Sequence, residues 1–123
     1  TEIYPGFPTD LQAQWMALMA IAKGESKITE EIYTDRFTHI AELTRFSAQI
    51  QLSGNKAEIQ GINKLKGAPV MSTDIRASAS LIIAALAAEG KSSISRIYHI
   101  DRGYDNIENK FNLLGANINR VRE

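Results

Sequence analysis

Two carboxylates, Asp10 and Asp74, each follow a threonine where an apolar stretch begins, and three arginines fall at related places: Arg36, Arg76 and Arg102. A carboxylate can take the proton of a hydroxyl, and a guanidinium fork matches a carboxylate or phosphate. Gathered together, these groups suit a substrate that bears an anion and must also lose a proton. Each group has a plainer reading. An acidic residue in the first turn of a helix complements the macrodipole. Arg36 and Arg102 directly follow Asp35 and Asp101 and would ordinarily form surface ion pairs with them. The two readings part on whether the fold brings the five residues to one place. In α/β folds, strand ends and helix starts collect along one edge of the sheet, where ligands bind. Both Asp-Arg joints fall just past an expected strand, so that edge would carry all five.

Other chemistry has less support. The chain has no Gly-rich phosphate loop and no nucleophile elbow. With no cysteine there is neither a disulfide nor a thiol nucleophile, which fits a reducing, cytoplasmic setting. His39 and His99 have only carboxylates to join them in a metal site, and neither metal nor cofactor is expected. His99 and Asp101 with a serine would imitate a hydrolase triad, but an i,i+2 spacing on a strand imposes no such geometry. Fourteen basic and fourteen acidic residues cancel, so charge steers the chain toward neither nucleic acid nor anionic membrane. Its longest apolar run is well short of the ~20 residues that span a bilayer. A first residue of Thr1 rather than Met is what an excised or processed piece would show.

The elements that must position these residues come in two similar sets. Thr9 with Gln12 forms a capping-box pattern before the wholly apolar run Trp15 to Ala22, with the helix expected to about Lys23 and Gly24 beyond it. Thr73 stands as N-cap before Leu81 to Ala88, also wholly apolar, with Gly90 suited to a left-handed C-cap. A helix apolar on all sides is expected to be buried on all sides. Lys27 to Tyr33 reads as a strand whose pattern is broken by Glu30, which shares a face with Ile28 and Ile32. After the joint at 34–36, Ile40, Leu43 and Phe46 or Ser47 mark a helix. Ala48 to Leu52 and Ala57 to Gln60 form a hairpin around Ser53-Gly54-Asn55-Lys56. A loop from Gly61 to Pro69 leads to a strand at Val70-Met71.

The second set repeats the order. Ser92 to Tyr98 is an expected strand, and Tyr104, Ile107, Phe111 and Leu114 mark a helix with Asp105 and Glu108 as capping box. Gly115 ends that helix, and Ala116 to Val121 reads as a strand. Asp10 aligns with Asp74 at an offset of 64, Asp35-Arg36 with Asp101-Arg102 at 66, and Ala48 with Ala116 at 68. Such slow drift indicates a duplicated αβαβ unit, residues 1–66 and 67–123, with helices inside and sheet between them and solvent.

Four segments, in order, resemble the UDP-N-acetylglucosamine enolpyruvyl transferases: Tyr4-Pro5-Gly6-Phe7-Pro8-Thr9-Asp10-Leu11-Gln12-Ala13-Gln14, Asp35-Arg36-Phe37-Thr38-His39, Thr73-Asp74-Ile75-Arg76-Ala77-Ser78-Ala79-Ser80, and Ile97-Tyr98-His99-Ile100-Asp101-Arg102-Gly103-Tyr104. The resemblance implies part of an inside-out α/β barrel built from βαβαββ units with buried helices, here the last two units of the second of two domains. It implies transfer of the enolpyruvyl group of phosphoenolpyruvate to the 3′-hydroxyl of UDP-N-acetylglucosamine, the first committed step of peptidoglycan synthesis. By this resemblance Asp10 is the general base and a sugar ligand, and Ile32 touches the nucleotide-sugar, largely through its backbone. Arg36, Asp74, Arg76 and Arg102 face the phosphoenolpyruvate side. The family's proton-donating Cys or Asp, its N-terminal Lys and further arginines belong to segments absent here. The chain therefore reads as a C-terminal fragment, inactive alone, whose partners are the two substrates and the N-terminal part of the same enzyme. An uncovered apolar face would favour self-association. A non-catalytic interaction module of the same fold is the alternative, as is a relative of enolpyruvyl-shikimate-phosphate synthase, which the Pro5 to Asp10 segment and the Asp-Arg joints fit less well.

Overall fold

The computed structural model describes residues 1–3, 5–33, 37–101, 104 and 106–121. A 3-10 turn at Thr9–Leu11 runs straight into helix α1 (Gln12–Met19), and the chain then turns back as strand β1 (Glu25–Thr29). Helix α2 (His39–Arg45) is followed by the hairpin β2 (Gln49–Ser53) and β3 (Lys56–Gln60). Short strands β4 (Leu65–Lys66) and β5 (Pro69–Met71) precede the long helix α3 (Ile75–Ala87). Beyond it lie β6 (Ala88–Glu89), β7 (Ser93–Ser95), α4 (Tyr98–Asp101) and α5 (Ile107–Leu113).

The hairpin forms where its turn residues stand. β3 pairs antiparallel with both neighbours in the order β1-β3-β2, with Ile59 opposite Ser26 on one side and Ile50 on the other. Along β3, Ala57 and Ile59 are buried while Lys56, Glu58 and Gln60 face water. One face of the sheet thus covers the helices and the other is solvated, the arrangement of an antiparallel sheet with a single packed face. Two small parallel pairs, β4 with β6 and β5 with β7, tie the start and end of α3 to the preceding loop.

Alanines let the two helices approach closely. Ala13, Ala17 and Ala20 of the first helical segment and Ala77 and Ala84 of α3 are buried with Met16 and Leu81. Leu43 and Phe46 from the α2 region and Ile28, Ala57 and Ile59 from the sheet close the core. Fully burying one such large side chain contributes about 1.5–3 kcal/mol. α3 is buried along most of its length, as its composition suggests. α1 is not: Leu11, Trp15 and Leu18, one helical face at i, i+4 and i+7, are 51, 45 and 45% exposed. Phe7 meets Trp15 edge-on at 5.8 Å on that outer side. The described residues cover one side of this helix only, so its all-round apolar sequence does not give all-round burial.

Several elements end sooner than their sequence suggests. α1 stops at Met19, and the chain bends through residues 20–24 to reach Gly24 at φ +91°. Gly90 is likewise left-handed, at φ +85°, but it follows β6 rather than capping α3, whose C-cap is the extended Ala88. The strand expected to reach Tyr98 ends at Ser95, because Arg96 takes a left-handed φ of 56° and Tyr98 begins a helical turn. Residues 116–121 form no strand. A strand needs a ladder partner, and here the Asn112 side chain takes that place, its amide bonding the Ile118 carbonyl at 2.8 Å and N–H at 2.9 Å. Arg120 anchors the same segment, binding both oxygens of Asp101 at 2.9 and 3.0 Å and Glu108 at 3.0 Å. Glu108 is thus an Arg120 partner, and no side chain caps α5, which starts after the left-handed Asn106; Asp105 lies outside the described residues.

The break in the β1 pattern has a structural cause. Glu30 is fully buried, and its carboxylate accepts five hydrogen bonds. Oε1 takes the hydroxyl of Thr9 at 2.8 Å and the amide of Gln12 at 3.1 Å. Oε2 takes the Thr1 hydroxyl at 2.6 Å and the N–H groups of Ile32 and Tyr33, both at 3.1 Å. Thr9 and Gln12 therefore serve a buried charge rather than forming a capping box, and neither the 3-10 turn nor α1 has a side-chain cap bond. Burial would raise the Glu30 pKa, but the bonds from Thr1, Tyr33, Thr9 and Gln12 outweigh it and hold it at about 2. Since this lies below the ordinary 4.5, the stabilisation is full above pH 4.5 and is lost as pH falls toward 2. Glu30→Gln would turn an NH2 toward this ring of donors and should cost about 2–4 kcal/mol. Denaturant melts of parent and variant check this: the difference should be largest near neutral pH and shrink on acidification between pH 4.5 and 2. Equal stability at pH 7 would contradict it.

Candidate functional site

The donors on Glu30 fix the 3-10 turn in which Asp10 sits. Thr9 is tied down immediately before it and Gln12 two residues after it. Asp10 Oδ1 then accepts a hydrogen bond from Arg76 Nε at 2.7 Å, joining two helix starts that lie 66 residues apart in sequence. The pair is substantially open to solvent, and such exposed pairs contribute about 0.2–1 kcal/mol. Its consequence is geometric more than energetic. It places a carboxylate and a guanidinium side by side at one surface.

Asp74 stands at the foot of the same helix. It is the N-cap of α3, extended at φ −159°, and its Oδ1 accepts the Ala77 N–H at 2.9 Å. Thr73, the expected cap, is exposed one residue earlier. Ser78 donates its hydroxyl to the Asp74 carbonyl, which locks the first turn. Asp74, Arg76 and Ala77 line a small cavity of about 30 Å³ together with Thr9, Gln12, Ala13 and His39. Arg76 and Asp74 thus share one cavity, and Asp10 meets it through Arg76. Arg36 and Arg102 lie outside the described residues. Ile32 lies on the turn after β1, half-buried, with its N–H given to Glu30 at 3.1 Å. A backbone contact from Ile32 to a ligand would have to use its carbonyl.

His39, weighed in the sequence only as a metal ligand, lines the same cavity. It is 2% exposed, and its Nε2 has no hydrogen-bond partner among the described residues. Burial, offset in part by the Asp74 carboxylate, pushes the imidazole pKa down to about 4, so the ring is neutral at pH 7. The signal was available: His39, Leu43 and Phe46 fall at i, i+4 and i+7, and all three are buried. His99, by contrast, meets the Tyr98 ring at a tilt with ring centres 4.3 Å apart and is not part of the cavity lining.

Chemically, the mouth offers a carboxylate able to accept a proton, a guanidinium with donors beyond the one used by Asp10, and a neutral imidazole beneath them. Among the described residues, no cluster of three His, Cys, Asp or Glu side chains could hold a metal ion. No helix among them is long and apolar enough to cross a membrane.

Known proteins share this chain's sequence and fold. The chain is 61% identical over its whole length to the UDP-N-acetylglucosamine 1-carboxyvinyltransferase of Geobacter metallireducens, and covers 30% of that protein. It is 60% identical over 98% of its length to the enzyme of that name from Rhodopseudomonas palustris, covering 28% of it. The chain therefore spans somewhat under a third of the length of these curated relatives. Among solved structures it resembles the enolpyruvyl transferase NikO of Streptomyces tendae, with a TM-score of 0.86 and 29% identity over 94% of this chain and 27% of that one. An EPSP synthase of Acinetobacter baumannii shares the fold at a TM-score of 0.70 and 20% identity, over 92% of this chain and 27% of its own. The family model of EPSP synthase, 3-phosphoshikimate 1-carboxyvinyltransferase, matches residues 1–111, and the chain belongs to that family of carboxyvinyltransferases.

Proposed function

We propose that the chain is the C-terminal part of a UDP-N-acetylglucosamine enolpyruvyl transferase and contributes one wall of its active site. The observation that carries this reading is the pairing of Asp10 with Arg76 at 2.7 Å beside Asp74, at a mouth built from two helix starts distant in sequence. Identity of 61% over the whole chain to a relative of that name favours it over the shikimate-phosphate reaction. Asp10 takes the proton of the sugar 3′-hydroxyl as its oxygen bonds to the enolpyruvyl carbon of phosphoenolpyruvate, and phosphate leaves. Arg76, with Arg36 and Arg102, binds the carboxylate and phosphate of phosphoenolpyruvate, and Asp74 lies near the reacting carbon. The Ile32 backbone meets the nucleotide-sugar. The remaining groups, including the proton donor, come from the rest of the longer protein, which works in the cytoplasm at the first committed step of peptidoglycan synthesis. The segment alone does not turn over.

Substitution of Asp10 separates the functional reading from a merely structural one. A positioned general base is worth about 10²–10⁴-fold in rate, while the exposed pair with Arg76 is worth at most about 1 kcal/mol of stability. In the full-length enzyme, Asp10→Asn should lower phosphate release at least about a hundredfold and leave the melting temperature nearly unchanged. Turnover within a few-fold of the parent would remove Asp10 from the mechanism.

The open face of α1 makes a second expectation. Leu11, Trp15 and Leu18 are covered in the longer protein by its remaining repeat units; in the isolated segment they pair with a second copy. The melting temperature of the 123-residue segment should then rise with protein concentration. A concentration-independent melt of a monomer would contradict this.

A further inference from the structure

His39 Nε2 is a polar atom buried at the cavity wall without a partner. Leaving such a group unsatisfied costs about 1–3 kcal/mol, so it calls for a partner that the described residues do not supply. Four of the neighbouring polar atoms are engaged elsewhere. Thr9 Oγ1 and Gln12 Nε2 donate to Glu30, Arg76 Nε donates to Asp10, and Asp74 Oδ1 accepts from Ala77. The remaining lining, Ala13 and Ala77, is apolar.

Size and charge narrow the partner. About 30 Å³ admits a hydroxyl or one to two waters, and no phosphate group. The Asp74 carboxylate, close enough to act on the imidazole, disfavours an anion against that ring, while the Arg76 guanidinium on the same lining is drawn to Asp10. Phosphoenolpyruvate carries a charge on both of its polar ends and does not suit the cavity. The nucleotide-sugar presents neutral hydroxyls.

We infer that His39 Nε2 is a binding group for an uncharged hydroxyl of the sugar, which enters the cavity between α1 and the foot of α3 and displaces a water. His39 then acts as a specificity-determining residue beneath the Asp10–Arg76 mouth, holding the sugar while Asp10 works on it. This rests on the transferase reading for the identity of the ligand.

The test uses the full-length enzyme with ¹⁵N-labelled histidine, the His39 resonances being identified by their loss in His39→Phe. Saturating UDP-N-acetylglucosamine should shift the Nε2 resonance of His39. His39→Phe, which keeps a ring and removes the nitrogen, should raise KM for UDP-N-acetylglucosamine about three- to tenfold, with KM for phosphoenolpyruvate nearly unchanged. His39→Gln, whose amide nitrogen can occupy the place of Nε2, should recover most of that loss. If the sugar nucleotide binds and the Nε2 resonance does not move, the inference is wrong and the transferase reading stands. Failure of the parent enzyme to bind the sugar nucleotide at all would instead overturn the transferase reading, and with it the ligand assigned to His39. Should His39→Phe fail to fold, the loss of the same resonances in His39→Gln identifies them, and the shift of the parent resonance decides the matter.

Discussion

A buried carboxylate with five donors holds this part of the fold together. Removing an ionised Glu from water is costly, and only a full set of hydrogen bonds offsets the loss. Glu30 gathers its set from the turn after β1, from the 3-10 turn before α1, from α1 itself and from Thr1. Its backbone is tied as well, with Asn55 of the hairpin turn bonding both its N–H and its carbonyl. Strand, hairpin and helix start are thereby fixed to one another at a single residue. Asp10 inherits its position from this arrangement because both flanking anchors, Thr9 and Gln12, end on Glu30.

Framework and functional groups differ in what they contribute to stability. Glu30 and the apolar packing of α1 against α3 account for stability, each contributing on the order of kcal/mol per buried group. The Asp10–Arg76 pair is exposed and adds little. Nor does Asp74 depend on a ligand for its place, since the N–H of Ala77 holds it. Groups that cost the fold little and converge at a cavity mouth are available for chemistry. His39 lies between these classes: it is buried like a core residue, yet its Nε2 is left for a partner that the described chain does not supply.

Much of this was legible in the sequence, and the exceptions have physical causes. The hairpin follows from Ser53-Gly54-Asn55-Lys56 between two β-forming runs, while the pairing of Asp10 with Arg76 joins helix starts that no local pattern links. Glu30 was visible as a charge on the apolar face of a strand, but its donors are nonlocal and no local pattern names them. Thr9 and Gln12 fit a capping box by spacing, and a buried carboxylate won the competition for them. The strand expected at 116–121 fails because pairing is a tertiary event; its residues carry the pattern, while Asn112 and Arg120 provide the contacts. α1 is less buried than its composition suggests for a related reason. Composition reports what a helix can bury, and neighbours decide what it does bury.

A crystal structure of the full-length protein with UDP-N-acetylglucosamine bound would show whether the Asp10–Arg76 mouth receives the sugar hydroxyl. The 3′-hydroxyl should lie within about 2.6–3.2 Å of the Asp10 carboxylate, or be joined to it through one water. A nucleotide-sugar bound elsewhere, with Asp10 still closed on Arg76 and no sugar oxygen within reach, would contradict this.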